Sequence, residues 1–266
     1  MTDSDAVRLA FRQYSDSGPA LLVLHGLFGS HTNWGWHNRH LASNHAVFGL
    51  DLRNHGDSPH SNLLNYPVMA EDIRQFMAQQ GLGQCAILGH SMGGKVAMQL
   101  ALETPHLVNR LVVVDIAPAG YTQSADGHQR IISGLRSLDL ASLSSRGEAD
   151  IQLGKVIEDS STRQFLLTNL VRNRRGVSGY QWRLNLDAIE SSYQNLRSWS
   201  SPGKPFDGPC LFIKGGNSDY IKPQHKNEIL NQFPSAEIKI ITGAGHWVHA
   251  EKPRTLHRVV ADFLNQ

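Results

Sequence analysis

Apolar runs of strand length alternate with segments of helical period along most of the chain. The runs are nearly continuous in Leu, Ile and Val, which is typical of strands covered on both faces. They occupy residues 20–26, 46–51, 84–91, 111–118, 210–216 and 237–243, and helical spacing is found at 68–81, 92–104 and 253–266. This order of elements predicts an α/β fold with a mostly parallel, doubly wound sheet.

One long stretch breaks this rhythm. Residues 119–205 are polar and rich in Ser, Arg and Gln, and they show short helical periods, such as 163–173, but no convincing strand. We therefore predict a helical cap at 119–205, inserted into a core formed by residues 1–118 and 206–266.

Composition and charge narrow the class of protein. The chain has 266 residues, and its 25 Lys and Arg nearly balance 23 Asp and Glu without a run of one sign. We therefore expect binding neither to nucleic acid nor to membranes. The acidic N-terminus lacks the features of a signal peptide, so the expected location is cytoplasmic. Cys85 and Cys210 lie in apolar runs, which predicts buried free thiols.

The first motif with chemical content is GHSMGG at residues 89–94. A serine in G-x-S-x-G, directly after an apolar strand and before a helix, is typical of a nucleophile elbow. Gly89 and Gly93 lack the β-carbons that would clash in so sharp a turn. The spacing of a phosphate-binding loop is absent. The motif therefore predicts a nucleophilic Ser91.

A serine nucleophile needs a base, and fourteen histidines compete for this role. His246 follows the last predicted strand in a glycine-rich loop and fits best, whereas His249 is closer to the final helix and is interpreted as a packing or surface residue. His31, His37 and His40 lie close together without a paired carboxylate or Cys, so we predict no metal site.

The attacked carbonyl oxygen needs backbone donors. The segment HGLFG at 25–29 follows the first long strand, and it predicts a donor at the backbone N–H of Leu27. Met92, next after the nucleophile, supplies the second donor. The side chains of Leu27 and Met92 are then expected to line the acyl pocket.

The acid that orients the histidine has several candidates. In FIKGGNSDYI, counting from Gly215 places Ser218 at the usual acid position, whereas counting from Gly216 places Asp219 there. Asp115 ends the strand that follows the nucleophile's helix and could reach the same imidazole. Every choice preserves the chain order serine, acid, histidine, so the local sequence leaves the acid open.

Residues that would contact the substrate are less defined. Trp34, Trp36, Tyr220 and Trp247 lie in loops expected at the carboxyl ends of the strands, where they would form an apolar pocket or simply pack. The arginines at 172, 174 and 175 could meet the phosphates of an acyl-coenzyme A, and a solvated helix face is the ordinary alternative.

These motifs resemble the α/β-hydrolase superfamily, and within it the YbfF-type bacterial esterases. HGLFGS, DLRNHGDSP, NYPVMAEDI, GHSMGGK, VVVDIAP, GGNSDY and GAGHWVHAEKP occur in matching order over both core segments, while agreement across the insertion is weaker. The resemblance implies a hydrolase core with a helical cap. It also implies that the acid follows the earlier strand, so that Asp115 is the acid, Ser218 assists and Asp219 lies outside the triad.

The activity implied by the resemblance is that of a carboxylesterase or acyl thioesterase without cofactor. Its expected partners are small-molecule acyl esters or thioesters with short to medium chains, cleaved through an acyl-enzyme. Carbon–carbon bond hydrolases, lyases and perhydrolases of this fold keep the serine and are alternatives. A small-molecule receptor without enzymatic activity is the alternative from another class.

Overall fold

The computed structural model describes residues 5–121, 127–173 and 179–266. The strands are β1 (Phe11–Gln13), β2 (Ala20–Leu24), β3 (Ala46–Leu50), β4 (Cys85–His90), β5 (Val108–Val114), β6 (Leu170–Arg172), β7 (Tyr180–Trp182), β8 (Cys210–Gly215) and β9 (Ala236–Ile241). The helices are α1 (Gly35–Leu41), α2 (Tyr66–Gln79), α3 (Met92–Glu103), α4 (Gly127–Arg136), α5 (Arg146–Leu153), α6 (Ser160–Leu167), α7 (Leu186–Ser191), α8 (Tyr193–Arg197), α9 (His225–Gln232), α10 (Val248–Glu251) and α11 (Pro253–Leu264).

The main sheet of the described chain has the strand order β1-β3-β2-β4-β5-β8-β9. β1 is antiparallel to β3, and the other neighbours are parallel. All six predicted strands are therefore present, with ends that differ by a few residues. β1 was not predicted, because its three residues are exposed and show no apolar run.

The inner strands of the sheet are largely buried on both faces, as their apolar runs predict, whereas the edge strands β1 and β9 are mostly exposed or half-buried. Along β2, Leu22 and Leu24 join one hydrophobic cluster, while Leu21 and Val23 join another. Helices α2 and α3 contribute to the first cluster, and α1 and α11 to the second. Because parallel strands end at one edge of a sheet, this arrangement gathers the loops after β2, β4, β5, β8 and β9.

The segment between β5 and β8 contains α4 to α8 and a small antiparallel sheet of β6 and β7. The expectation of no strand there was wrong, and so was the helical interpretation of 163–173 beyond Leu167. Strands of three residues that carry Arg172 and Gln181 are too short to show alternation. Arg172 ends β6, whereas the arginines at 174 and 175 lie outside the described residues. The boundaries of the proposed cap stay a prediction.

Two further features concern the described residues. Cys85 and Cys210 are buried free thiols, as predicted, and burial raises the pKa of Cys85 to about 11. No helix in this part of the chain combines the length and the apolar character needed to cross a membrane.

Candidate active site

Ser91 occupies a sharp turn between β4 and α3. Its backbone has φ 53° and ψ −118°, and its N–H donates to the carbonyl of Val114 at 3.0 Å. A β-carbon on Gly89 would lie 2.2 Å from the carbonyl oxygen of Gly93, and one on Gly93 would lie 2.5 Å from that of His25. Only glycine fits at these two positions, as expected of a nucleophile elbow.

The loop after β9 carries His246 to this serine. Its Nε2 lies 3.0 Å from Ser91 Oγ, and its Nδ1 lies 2.8 Å from Asp115 Oδ2. Tyr220 stacks on the imidazole, with ring centres 3.9 Å apart. His90 Nε2 donates to the carbonyl oxygen of His246 at 2.9 Å, which fixes the backbone of the loop. The arrangement can pass a proton from Ser91 to an imidazole that a carboxylate orients.

Asp115 follows β5 directly and is fully buried. Its Oδ1 accepts a hydrogen bond from the Gly215 N–H at 2.8 Å, and its Oδ2 accepts a short one from the Ser218 hydroxyl in addition to His246. Asp219 is exposed at the surface. The structure therefore brings Asp115 and Ser218 together beside His246 and leaves Asp219 outside this group.

The loop after β2 faces the nucleophile and carries Leu27. Gly29 N–H donates to Gly26 O at 3.0 Å and closes a turn around Leu27 and Phe28. His25 Nε2 accepts from the Leu52 N–H at 3.0 Å, so its Nδ1 carries the proton and donates to Gly26 O at 2.8 Å. This buried histidine fixes the loop that presents the Leu27 N–H.

Backbone strain is concentrated around the site. Among the described non-glycine residues, positive φ values occur at Phe28, Asn54, Ser91 and Asp115. Three of these four belong to the loops just described. Such conformations persist where the surrounding structure over-determines them, and they mark functional loops.

Two cavities meet at Ser91. The first is lined among others by Trp34, Phe165, His246 and Trp247. The second is lined by residues that include Met92, Lys95, Tyr121 and Tyr220. Leu27 lines both. Of the predicted pocket residues, Trp34 and Trp247 thus face the first cavity and Tyr220 the second, while Trp36 packs against the rings of His40 and His257.

Two residues near the cavities were not predicted. Lys95 is one helical turn after Ser91, and its buried Nζ donates to the carbonyl oxygen of Ser198 at 2.9 Å. Burial lowers its pKa to about 7. Lys95 follows Ser91 by four positions, and this spacing in the sequence indicates that both residues lie on the same side of α3. His128, which lines both cavities, is an isolated histidine in a polar segment and carries no such signal.

The three clustered histidines near the N-terminus have local partners. His37 Nε2 lies 2.9 Å from the carbonyl oxygen of His249, His40 Nδ1 lies 2.7 Å from that of Trp36, and His31 Nδ1 lies 3.3 Å from Tyr14 Oη. Within the described ranges, no group of three or more His, Cys, Asp or Glu is arranged to hold a metal ion.

Buried histidines should make the fold sensitive to mild acid. Desolvation is the largest cause that lowers the pKa of His25 and His37 to about 4 and that of His90 to about 3. The folded state keeps these rings neutral, while the unfolded chain protonates them below about pH 6.5. The free energy of unfolding should therefore fall as the pH drops from 6.5 toward 4, by about 1.4 kcal/mol per pH unit for each histidine.

Urea unfolding between pH 7.5 and pH 5 measures this dependence. His37→Gln keeps an N–H donor for the His249 carbonyl but does not titrate. The free energy of unfolding of this variant should therefore change less with pH, by the contribution of one histidine. The exposed His106→Asn is the matched control and should keep the wild-type slope. A stability that stays constant over this range would contradict the prediction.

The chain belongs to the family described as alpha/beta hydrolase fold, whose model matches residues 19–253. It is 34% identical to Esterase YbfF of Escherichia coli (strain K12), over 97% of this chain and 98% of that protein. It is 42% identical to the sn-1-specific diacylglycerol lipase ABHD11 of Mus musculus, over 92% of this chain and 81% of that protein.

A solved structure described as a marine microorganism esterase superimposes with a TM-score of 0.94 and 39% identity. The match covers 97% of this chain and all of that one (100%). The predicted fold is therefore confirmed, and so is the resemblance to YbfF-type esterases.

Proposed function

We propose that the protein is a serine hydrolase that cleaves carboxylic esters through an acyl-enzyme on Ser91. The observation that carries this proposal is His246, whose two ring nitrogens lie 3.0 Å from Ser91 Oγ and 2.8 Å from Asp115 Oδ2. The predicted class, a carboxylic ester hydrolase, is confirmed by the relatives named esterase and lipase. Thioester cleavage and a cytoplasmic location stay predictions.

In the proposed acylation step, His246 Nε2 takes the proton of Ser91 while Oγ attacks the ester carbonyl carbon. The buried Asp115 accepts the Nδ1–H of His246 and stabilises the imidazolium that forms. The negative charge that develops on the carbonyl oxygen is met by the backbone N–H groups of Leu27 and Met92. The Ser218 hydroxyl and the Gly215 N–H donate two further hydrogen bonds to Asp115 and hold it in place.

The tetrahedral intermediate then collapses. His246 gives its proton to the leaving oxygen, the carbon–oxygen bond to the alcohol breaks, and the acyl group stays on Ser91. A water molecule, deprotonated by the same imidazole, attacks the carbonyl carbon of the acyl-enzyme. The bond between that carbon and Ser91 Oγ then breaks, His246 returns the proton to Oγ, and the carboxylic acid leaves. Apart from the hydrolytic water, every group used in these steps is a side chain or a backbone donor named here.

The two cavities divide the substrate between them. His246 lines the first cavity, and the leaving oxygen must lie beside this residue to receive its proton. We therefore assign the first cavity to the alcohol and call it the leaving-group cavity. The second cavity, which contains Met92 and Ile116, receives the acyl chain and is called the acyl cavity. Its lining by Tyr66, Tyr121 and Lys95 limits the chain length it accepts.

A matched pair of cap leucines tests this assignment. Leu196 is buried against the acyl cavity, and Leu166 against the leaving-group cavity. The wild type should cleave p-nitrophenyl butyrate faster than the palmitate ester. Leu196→Ala should shift this preference toward longer chains by about tenfold in kcat/KM, since a hydrophobic pocket discriminates by roughly 10–200-fold per methylene.

Leu166→Ala should leave the acyl preference unchanged and relax the preference among alcohols instead. Kinetics with an acyl series on one alcohol, and an alcohol series on one acyl group, separate the two effects. Each variant is the control for the other. Equal changes in both series for both variants would contradict the assignment of the cavities.

The proposed function itself is tested by intact-mass spectrometry with a serine-reactive phosphonate. The wild type should gain the mass of one adduct, and Ser91→Ala should gain none. A wild-type protein that forms no adduct and leaves p-nitrophenyl butyrate intact would favour the receptor alternative. An adduct without ester cleavage would favour another serine-dependent reaction of this fold.

A further inference from the structure

His128 occupies the junction of the two cavities. Of the described residues, Leu27, Ser91 and His128 line both cavities. In the proposed function, Leu27 supplies an oxyanion donor and Ser91 is the nucleophile. His128 is the third, and it comes from helix α4 in the segment between β5 and β8. It therefore faces the place where the scissile bond of a bound ester would lie.

Two aromatic rings hold the imidazole of His128 in this position. It packs edge-on against Phe28 of the loop after β2, with ring centres 5.9 Å apart and an interplanar angle of 71°. On another side it packs at 90° against Tyr193 of α8, whose hydroxyl lies 3.2 Å from Nδ1. These contacts fix the ring orientation and leave Nε2 for a partner in the cavities.

The imidazole of His128 is neutral, so one of its nitrogens donates and the other accepts. Burial, followed by repulsion from His246 and Arg197, lowers the pKa of His128 to about 4. The ring is then neutral at pH 7 and carries one N–H. We place this N–H at Nε2, in the tautomer whose Nδ1 accepts a hydrogen bond from the Tyr193 hydroxyl at 3.2 Å. None of the residues described in the structure forms a hydrogen bond with Nε2.

We propose that His128 Nε2 donates a hydrogen bond to a second oxygen atom, on the alcohol part of the bound ester. This inference rests on the proposed function. There, Leu27 and Met92 bind the carbonyl oxygen and His246 serves the leaving oxygen, so neither needs His128. Both ring nitrogens of His25 and the Nε2 of His90 already form hydrogen bonds with backbone groups, so they are not free to bind the substrate.

The position of His128 also limits the substrate class. Because this residue lines the cavities at Ser91 itself, the second oxygen must lie within a few bonds of the scissile ester. Alcohols with an oxygen on the carbon next to the ester-bearing carbon, such as 1,2-diols, meet this condition. His128 is then a specificity-determining residue for esters of such alcohols.

Two esters that differ in one group test the proposal. 2-Hydroxyethyl butyrate and propyl butyrate have the same acyl group and the same number of non-hydrogen atoms, with a hydroxyl in place of a methyl group. The ratio of their kcat/KM values, measured on one preparation, cancels any inactive fraction. Wild type should favour the hydroxyethyl ester, and His128→Phe should lower the ratio by about three- to tenfold, since a neutral hydrogen bond contributes about 0.5–1.5 kcal/mol.

Two further variants sharpen the result. His128→Gln retains an N–H donor and should recover part of the wild-type ratio. His60→Phe removes an exposed histidine outside both cavities and should keep that ratio. An unchanged ratio in His128→Phe, or equal loss in the Phe and Gln variants, would overturn the role of His128. If wild type cleaved neither ester nor p-nitrophenyl butyrate, the proposed function itself would have failed.

Discussion

Ser91→Ala and His246→Ala should each lower kcat for p-nitrophenyl butyrate by about 10⁶-fold. The two side chains act as a unit: the hydroxyl is a poor nucleophile until Nε2, at 3.0 Å, takes its proton. Without either partner, only the oxyanion donors and substrate binding would contribute to the rate. Steady-state kinetics on purified variants measure the loss.

The double variant Ser91→Ala/His246→Ala should lose about as much activity as either single variant, because the first substitution already disables the pair. His106→Ala, at an exposed histidine, is the matched control and should keep wild-type activity. A loss of only about tenfold in either single variant would remove that residue from the proposed mechanism.

Asp115→Asn should lower kcat by roughly 10⁴-fold, because an amide cannot hold the imidazole in the tautomer that presents Nε2 to the serine. Asp219→Asn should stay within about tenfold, since its side chain is exposed. Ser218→Ala should fall between them, because it removes one hydrogen bond to the Asp115 carboxylate and leaves His246 in contact with it.

The ranking of these three variants is the decisive result. Thermal unfolding of each variant should accompany the kinetics, since Asp115 is fully buried and its replacement can also affect stability. A folded Asp219→Asn that lost more activity than a folded Asp115→Asn would show that the acid follows β8 after all.

Much of the core could be predicted because each signal was local. The strands β2, β3, β4, β5 and β8 are largely buried on both faces, so their apolar runs stand out in the sequence. The elbow needs glycine at 89 and 93, and these two residues frame Ser91 in the chain. His246 follows the last strand of the sheet. In each case, neighbouring residues carry enough information to indicate the position.

The rest depends on contacts between distant segments. Asp115 and Ser218 are 103 positions apart and meet only because β5 and β8 are adjacent in the sheet. Local spacing could not choose between the candidates, and a resemblance was needed. The strands β6 and β7 are too short to show a period. The place of His128 beside the cavities depends on how α4 packs in the folded chain, and the local sequence does not indicate it.

The positive φ values at Ser91 and Asp115 set a limit on how this enzyme can be made more heat-resistant. Each such conformation costs on the order of 1–3 kcal/mol, and glycine would relieve it. Glycine at either position would also delete a functional group on which the proposed chemistry depends. Selection for thermal stability alone would therefore oppose turnover at these two positions. A thermostable variant that keeps its activity has to gain stability elsewhere, in the two hydrophobic clusters or at the exposed helix ends.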